Sequence, residues 1–151
     1  MRLPVIDGDN SKIDENAVAE MVAYAMEQGI NYYDTAFMYH DGQSEIVMGK
    51  VLNQYPRERY YIATKFPGYD TANMEQVEQI FNKQLEKTGM EYFDFYLLHS
   101  IDEDGWPNIP KLNMIDFVKK ENHFVIAADA PTAANAYSPT NRPTITESVM
   151  L

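Results

Sequence analysis

Residues 29–49 read Gly29-Ile30-Asn31-Tyr32-Tyr33-Asp34-Thr35-Ala36-Phe37-Met38-Tyr39-His40-Asp41-Gly42-Gln43-Ser44-Glu45-Ile46-Val47-Met48-Gly49. The run parses as a helix stop, a strand, a loop and a new helix. Gly29 accepts the left-handed conformation that ends a helix. Residues 30–34 favour a strand closed by Asp34. Residues 39–42 carry turn-forming types. Ser44 is expected to cap the next helix, with Glu45 favourably placed in its positive first turn and Val47, Met48, Val51 and Leu52 as its apolar positions. Strand, loop and helix in this order are half of a βαβ unit.

The same alternation extends to both sides. Upstream, Asp14 is placed to cap a helix whose apolar residues Val18, Met21, Val22 and Ala25 follow the i, i+3, i+4, i+7 spacing. Downstream, Tyr55-Pro56-Arg57-Glu58-Arg59 breaks the second helix, and residues 60–66 form a second strand. Residues 73–88 predict a third helix, with Val77, Ile80, Phe81 and Leu85 on one face and Gly89 as its stop. Residues 92–99 form a third strand in which Phe93, Phe95, Leu97 and Leu98 leave little polar face, as in a parallel strand covered on both sides. A weaker helix over residues 109–121 uses Leu112, Ile115 and Val118. Right-handed βαβ units and a parallel sheet follow. Beyond Asn122 the composition changes: Asp129, Arg142 and Glu147 are the only formally charged side chains, and Pro131, Pro139 and Pro143 interrupt the run. Residues 123–128 fit one further strand, and residues 132–146 read as linker or flexible tail. The expected division is therefore 1–121 and 122–151.

Composition narrows the function. The chain has 151 residues, with 12 Lys and Arg against 23 Asp and Glu, a net charge of −11. Such a field repels a phosphate backbone, so nucleic acid is not an expected partner. The absence of cysteine removes disulfides, thiolate metal sites and cysteine nucleophiles. His40, His99 and His123 lack a close ligand spacing, so no metal site is expected. No run approaches the ~20 apolar residues of a spanning helix, and Met1-Arg2-Leu3-Pro4 does not open a signal peptide. The expectation is a soluble cytoplasmic protein with no membrane partner.

Four polar residues stand at or just beyond strand ends: Asp34 closes the first strand, Tyr39 lies in the loop leaving it, Lys65 is near the end of the second and His99 closes the third. Parallel α/β folds gather such positions at the carboxyl ends of their strands, where their chemistry sits. Singly, each has an ordinary structural reading: a turn aspartate, a packed tyrosine, a snorkelling lysine, a hydrogen-bonded histidine. Together they have a chemical one. A phenol is a poor proton donor at neutral pH because its pKa is near 10. A neighbouring ammonium favours the phenolate, and a carboxylate holds the ammonium charged and in place. A tyrosine so assisted can protonate a developing alkoxide while a histidine fixes the carbonyl oxygen. The hydride for that reduction must come from a cofactor.

Residues 29–49 closely resemble the signature of the aldo-keto reductase family. Ile62-Ala63-Thr64-Lys65-Phe66 and Phe93-Asp94-Phe95-Tyr96-Leu97-Leu98-His99-Ser100 agree with it in order. The resemblance covers roughly residues 1–121 and is to the N-terminal half of the family's NADPH-dependent bacterial branch. It implies that Tyr39 is the general acid, Lys65 and Asp34 its tuning pair, and His99 the residue orienting the substrate. It implies NADPH as cofactor, with Arg2 and Asp34 near it, and an aldehyde or ketone as substrate. Trp106, with Asp102, Glu103 and Asp104 in the loop after the histidine strand, is placed to line the substrate pocket, although an acidic loop with one aromatic is more often a solvated connector. Ser44 and Glu45 would only start the second helix. The family fold is an eight-stranded (β/α)8 TIM barrel of about 200 or more residues, so this chain is expected to hold a partial, incomplete barrel of three to four parallel βα units. The alternative is a non-catalytic truncated half-barrel acting as an interaction or assembly module. An open sheet leaves unpaired edges and an uncovered inner face, supplied by residues such as Tyr33, Ile62, Phe95 and Leu97. A homodimer is the favoured cover, ahead of the tail folding back.

Overall fold

The computed structural model describes residues 3–99, 124–126 and 148–149. Its elements are α1 (Glu15–Glu27), β1 (Tyr32–Asp34), α2 (Ser44–Leu52), β2 (Tyr61–Phe66), α3 (Val77–Thr88), β3 (Phe95–Leu98), β4 (Phe124–Ile126) and β5 (Ser148–Val149). The helix expected over residues 109–121 and the linker over 132–146 lie outside the described residues.

Local chemistry explains most boundaries. The Asp14 carboxylate accepts from the Ala17 amide at 3.0 Å and starts α1. Gly29 and Gly89, just beyond α1 and α3, have φ of +85° and +62°. A residue with a Cβ would hold that conformation at a cost of about 1–2 kcal/mol. Helix α2 departs from expectation. Gln43, not Ser44, precedes it as the cap residue and makes no side-chain cap bond. Ser44 is the first helical residue, and its hydroxyl meets Thr35 Oγ1 at 2.8 Å, tying the helix to the end of β1. Helix α3 begins at Val77 because Thr71–Gln76 form a 3-10 turn, led by Asp70 accepting from the Ala72 amide at 3.0 Å.

The strands lie in the order β4-β3-β2-β1-β5, and every pairing is parallel. Tyr32 pairs with Tyr61, Ala63 with Phe95 and Phe95 with Phe124. Strands β1 to β4 match the expected units. Strand β5 is an addition: Ser148 and Val149 pair with Tyr32 and Tyr33 along the outer edge of β1.

Alternation along the strands divides the core. Tyr33, Ile62, Phe66, Tyr96 and Leu98 pack with Val18 and Val22 of α1, Met48 and Leu52 of α2 and Phe81 of α3. Tyr61, Ala63 and Phe95 form a second cluster on the other face, joined by Tyr32 and Leu97. Phe95 and Leu97 are thus on the face expected to be internal to a barrel, whereas Tyr33 and Ile62 belong to the helix-covered face. A one-residue change of register separates the two sets, and composition alone does not fix it. Helices α2 and α3 cross so closely that a Cβ at Gly49 would lie 2.6 Å from Thr88 Cα.

At the amino ends of β2 and β3, Arg57 stacks over the rings of Tyr92 and Tyr60 at 4.1 Å and 4.8 Å. It donates to Asp94 Oδ2 at 2.5 Å and to the Tyr60 carbonyl at 2.9 Å. Asp94 Oδ2 also accepts from the Ile62 amide at 2.8 Å. Burial lowers the Arg57 pKa, while the neighbouring phenols of Tyr92 and Tyr60 oppose that shift.

Candidate active site

Parallel strand order brings the four polar residues to one edge. Asp34 ends β1, Lys65 is the penultimate residue of β2, and His99 follows β3, its amide bonded to the Phe66 carbonyl at 2.9 Å. Lys65 Nζ donates to Asp34 Oδ1, to the Thr35 carbonyl at 3.1 Å and to the Tyr39 hydroxyl at 3.2 Å. Asp34 and Lys65 are each only 4% exposed. An ammonium has three donors and all three are used. Because Tyr39 Oη accepts from Lys65, its own O–H is left to point at something else. The His99 ring stands edge-on between Tyr39, 5.5 Å away at 87°, and Tyr69, 5.7 Å away at 78°.

The loop carrying Tyr39 is fixed by its backbone. His40, Asp41 and Gly42 follow one another at φ of +53°, +53° and +84°. Two non-glycine residues in this region cost about 1–2 kcal/mol each. The Tyr39 carbonyl accepts from the Gly42 and Ser44 amides, both at 3.1 Å. Buried His40 offsets part of the cost: its Nε2 accepts from the Leu3 amide at 2.8 Å, so Nδ1 carries the proton facing the Asn10 carbonyl at 3.0 Å. His40 thereby pins the start of the chain against the tyrosine loop.

Other tyrosines near this edge sit in different electrostatic settings. Burial, then the Asp34 carboxylate, raises the Tyr32 phenol above its ordinary value. Burial and Asp70 raise Tyr69. Tyr39 is the phenol with the Lys65 ammonium as its hydrogen-bond donor.

Sequence reasoning missed three residues here. Glu45 does more than start α2: it is fully buried and ion-paired with Lys87 at 2.6 Å. Gln84, also fully buried, donates to the Lys65 carbonyl at 3.1 Å. Its spacing from Val77 and Ile80, i+7 and i+4, already puts it on the apolar face of α3. Arg2 and Trp106 lie outside the described residues. Among the described residues, no three His, Asp or Glu side chains converge as a metal site, and no helix is long and apolar enough to cross a membrane.

Comparison with known proteins places this edge in context. A family model described as Aldo/keto reductase family matches residues 5–125. The chain is 33% identical over 101 residues to Probable aldo-keto reductase 1 of Glycine max, covering 62% of this chain and 29% of that protein. It is 31% identical over 118 residues to Aflatoxin B1 aldehyde reductase member 2 of Rattus norvegicus, covering 76% of this chain and 32% of the relative. Among solved structures, an aldo-keto reductase from Bacillus halodurans in its apo form aligns with a TM-score of 0.59 at 26% identity, over 80% of this chain and 41% of that one. The chain thus spans about a third of the length of these curated relatives.

Proposed function

Since the chain belongs to the aldo/keto reductase family, we propose that it carries a carbonyl-reducing site in which Tyr39 is the general acid and NADPH the reductant. The observation that supports this best is the buried Lys65 ammonium, shared between the Asp34 carboxylate and the Tyr39 hydroxyl. A nicotinamide dinucleotide supplies the hydride. Its phosphates call for cations or helix N-termini. Among the described residues, Lys65 and Lys87 at this end are paired with Asp34 and Glu45. The fit is therefore to the reacting end of the cofactor, toward Asp34, with Arg2 as the residue of this chain proposed for its phosphates.

An aldehyde or ketone oxygen held at the Tyr39 hydroxyl receives the phenolic proton as the carbonyl carbon takes up hydride. Lys65 stabilises the phenolate left behind, and Asp34 keeps the ammonium in place. His99, whose ring stands edge-on to Tyr39, orients the carbonyl oxygen. General acid assistance of this kind contributes roughly 10²–10⁴ in rate.

The alternative reading is a non-catalytic half-barrel that acts as an interaction or assembly module. Titration of NADPH fluorescence against the purified chain separates the two. Saturable binding followed by aldehyde-dependent NADPH consumption is expected. A folded chain that leaves NADPH fluorescence unchanged would leave the assembly reading in its place.

A further inference from the structure

The proton transfer proposed above makes no use of a polar network buried between the sheet and α3. One Glu45 oxygen accepts from Thr64 Oγ1 and Gln84 Nε2, both at 2.6 Å, and the other meets Lys87 Nζ at 2.6 Å. The Tyr96 hydroxyl donates to Gln84 Oε1 at 2.6 Å. Burial, then the Glu45 charge, raises the Tyr96 phenol well above its ordinary value, so it remains a donor. Two further bonds leave the network for backbone. Gln84 Nε2 reaches the carbonyl of Lys65 itself at 3.1 Å, and Lys87 Nζ reaches the carbonyl of Phe37 at 3.2 Å, two residues before Tyr39.

A buried ion pair is a weak source of stability, because desolvation offsets much of the attraction, and apolar residues of similar volume often serve as well. What such a network supplies is geometry. Gln84 and Lys87 lie one turn apart on α3, and a single carboxylate holds both. Through them it grips one backbone segment on each side of the contact between Tyr39 and Lys65. We propose that Glu45, Gln84 and Lys87 are positioning residues, a brace on the helix side of the sheet that sets the approach of the Tyr39 hydroxyl to the Lys65 ammonium. The inference rests on the reading of that pair as the reacting one, but its test needs no turnover.

The test is the double variant Glu45→Gln with Lys87→Met. Removing both charges leaves no buried ion unpaired, and the amide that replaces the carboxylate can still meet Thr64 and Gln84. The readout is NMR of lysine-15N-labelled protein, in which the sheltered Lys65 ammonium protons exchange slowly enough to be seen and are assigned by their loss in Lys65→Met. The Tyr39 ring signal, assigned with Tyr39→Phe, is followed in parallel. The double variant is expected to melt cooperatively while the Lys65 ammonium signal is lost and the Tyr39 signal shifts. Gln84→Met, which cuts the link to the Lys65 carbonyl, is expected to lose the Lys65 signal too. Where reduction is measurable, turnover falls by up to ~10²-fold with KM little changed, as misplacement of reacting groups predicts. Unchanged Lys65 and Tyr39 signals in a folded double variant would overturn the proposal. Loss of the cooperative melt would overturn it as well, since the network would then serve folding and not placement. A wild-type chain without reductase activity would count against the functional reading alone, because the NMR comparison stands without it.

Discussion

Each end of the central three strands holds an ion pair on a buried carboxylate, and the two pairs are built from different partners. At the amino ends, Arg57 is held by Asp94, by the Tyr60 carbonyl and by the faces of Tyr60 and Tyr92, while Asp94 also accepts from the Ile62 amide. These bonds join backbone segments to one another, so the pair is a clamp between β2 and β3. At the carboxyl ends, Lys65 is held by Asp34 and the Thr35 carbonyl, but its remaining donor goes to a phenol. That phenol retains a proton it can give away. In the proposed reading, what separates the structural ion pair from the chemical one is the third partner of the cation; the carboxylates are buried alike, at 5% and 6% exposed, while Arg57 is 24% exposed and Lys65 only 5%.

Substitution should pull the two ends apart. Lys65→Met is expected to lower carbonyl reduction by ~10²–10⁴-fold and to change the shape of its pH profile, because the phenol loses its ammonium donor. It should also cost stability, since the buried Asp34 carboxylate loses the ammonium that donates to it. An unchanged pH–rate profile would break the proposed link between Lys65 and Tyr39. Arg57→Met, at the other end, should cost about 1.5–3 kcal/mol in denaturant unfolding, because Asp94 keeps its bond from the Ile62 amide but loses its charged donor. Any protein that remains folded is expected to keep the wild-type pH profile. Gly49→Ala is expected to lower stability by about 1–3 kcal/mol, because its Cβ would collide with the Thr88 backbone where α2 meets α3.

The smallest effect is alkaline. Burial pushes the Tyr33 phenol up to about 12 and raises Tyr60, its edge-on neighbour. Unfolded tyrosine ionises near 10, so above that pH the unfolded chain releases protons that the folded one retains. Stability should therefore be complete below about pH 10 and decline as pH rises from there toward about 12. For Tyr33 the loss is about 1 kcal/mol after solvent screening. Tyr33→Phe should make the decline seen in melts across that window shallower, with Tyr32, Tyr60, Tyr69 and Tyr96, also raised by burial, supplying the rest.

The sequence and the structure agree where local rules act alone. Asp14, Gly29 and Gly89 mark helix ends through their own conformational chemistry, and strands separated by helices lead to parallel pairing. Asp34, Tyr39, Lys65 and His99 were legible because each sits at or just past a strand end, and parallel order turns that into proximity. The departures come from tertiary partners. Ser44 has the chemistry of a cap, but Thr35 lies close enough to claim its hydroxyl. Glu45 resembles an ordinary first-turn acid until Lys87, 42 residues away in sequence, arrives beside it. Tyr33 and Ile62 depend on strand register, which the near-continuous apolar runs do not reveal. Strand β5 depends on a pairing with Tyr32 and Tyr33 that has no local signal in the tail.

The most direct measurement compares wild-type and Tyr39→Phe protein in NADPH-dependent reduction of a small aldehyde, with thermal melts of both recorded alongside. The substitution removes one hydroxyl from a partly exposed ring, so the melts should nearly coincide. The account predicts a turnover loss of ~10²–10⁴-fold in the variant. Near-wild-type reduction by Tyr39→Phe would contradict it, and the carboxyl-end ion pair would then be a second clamp like the one around Arg57.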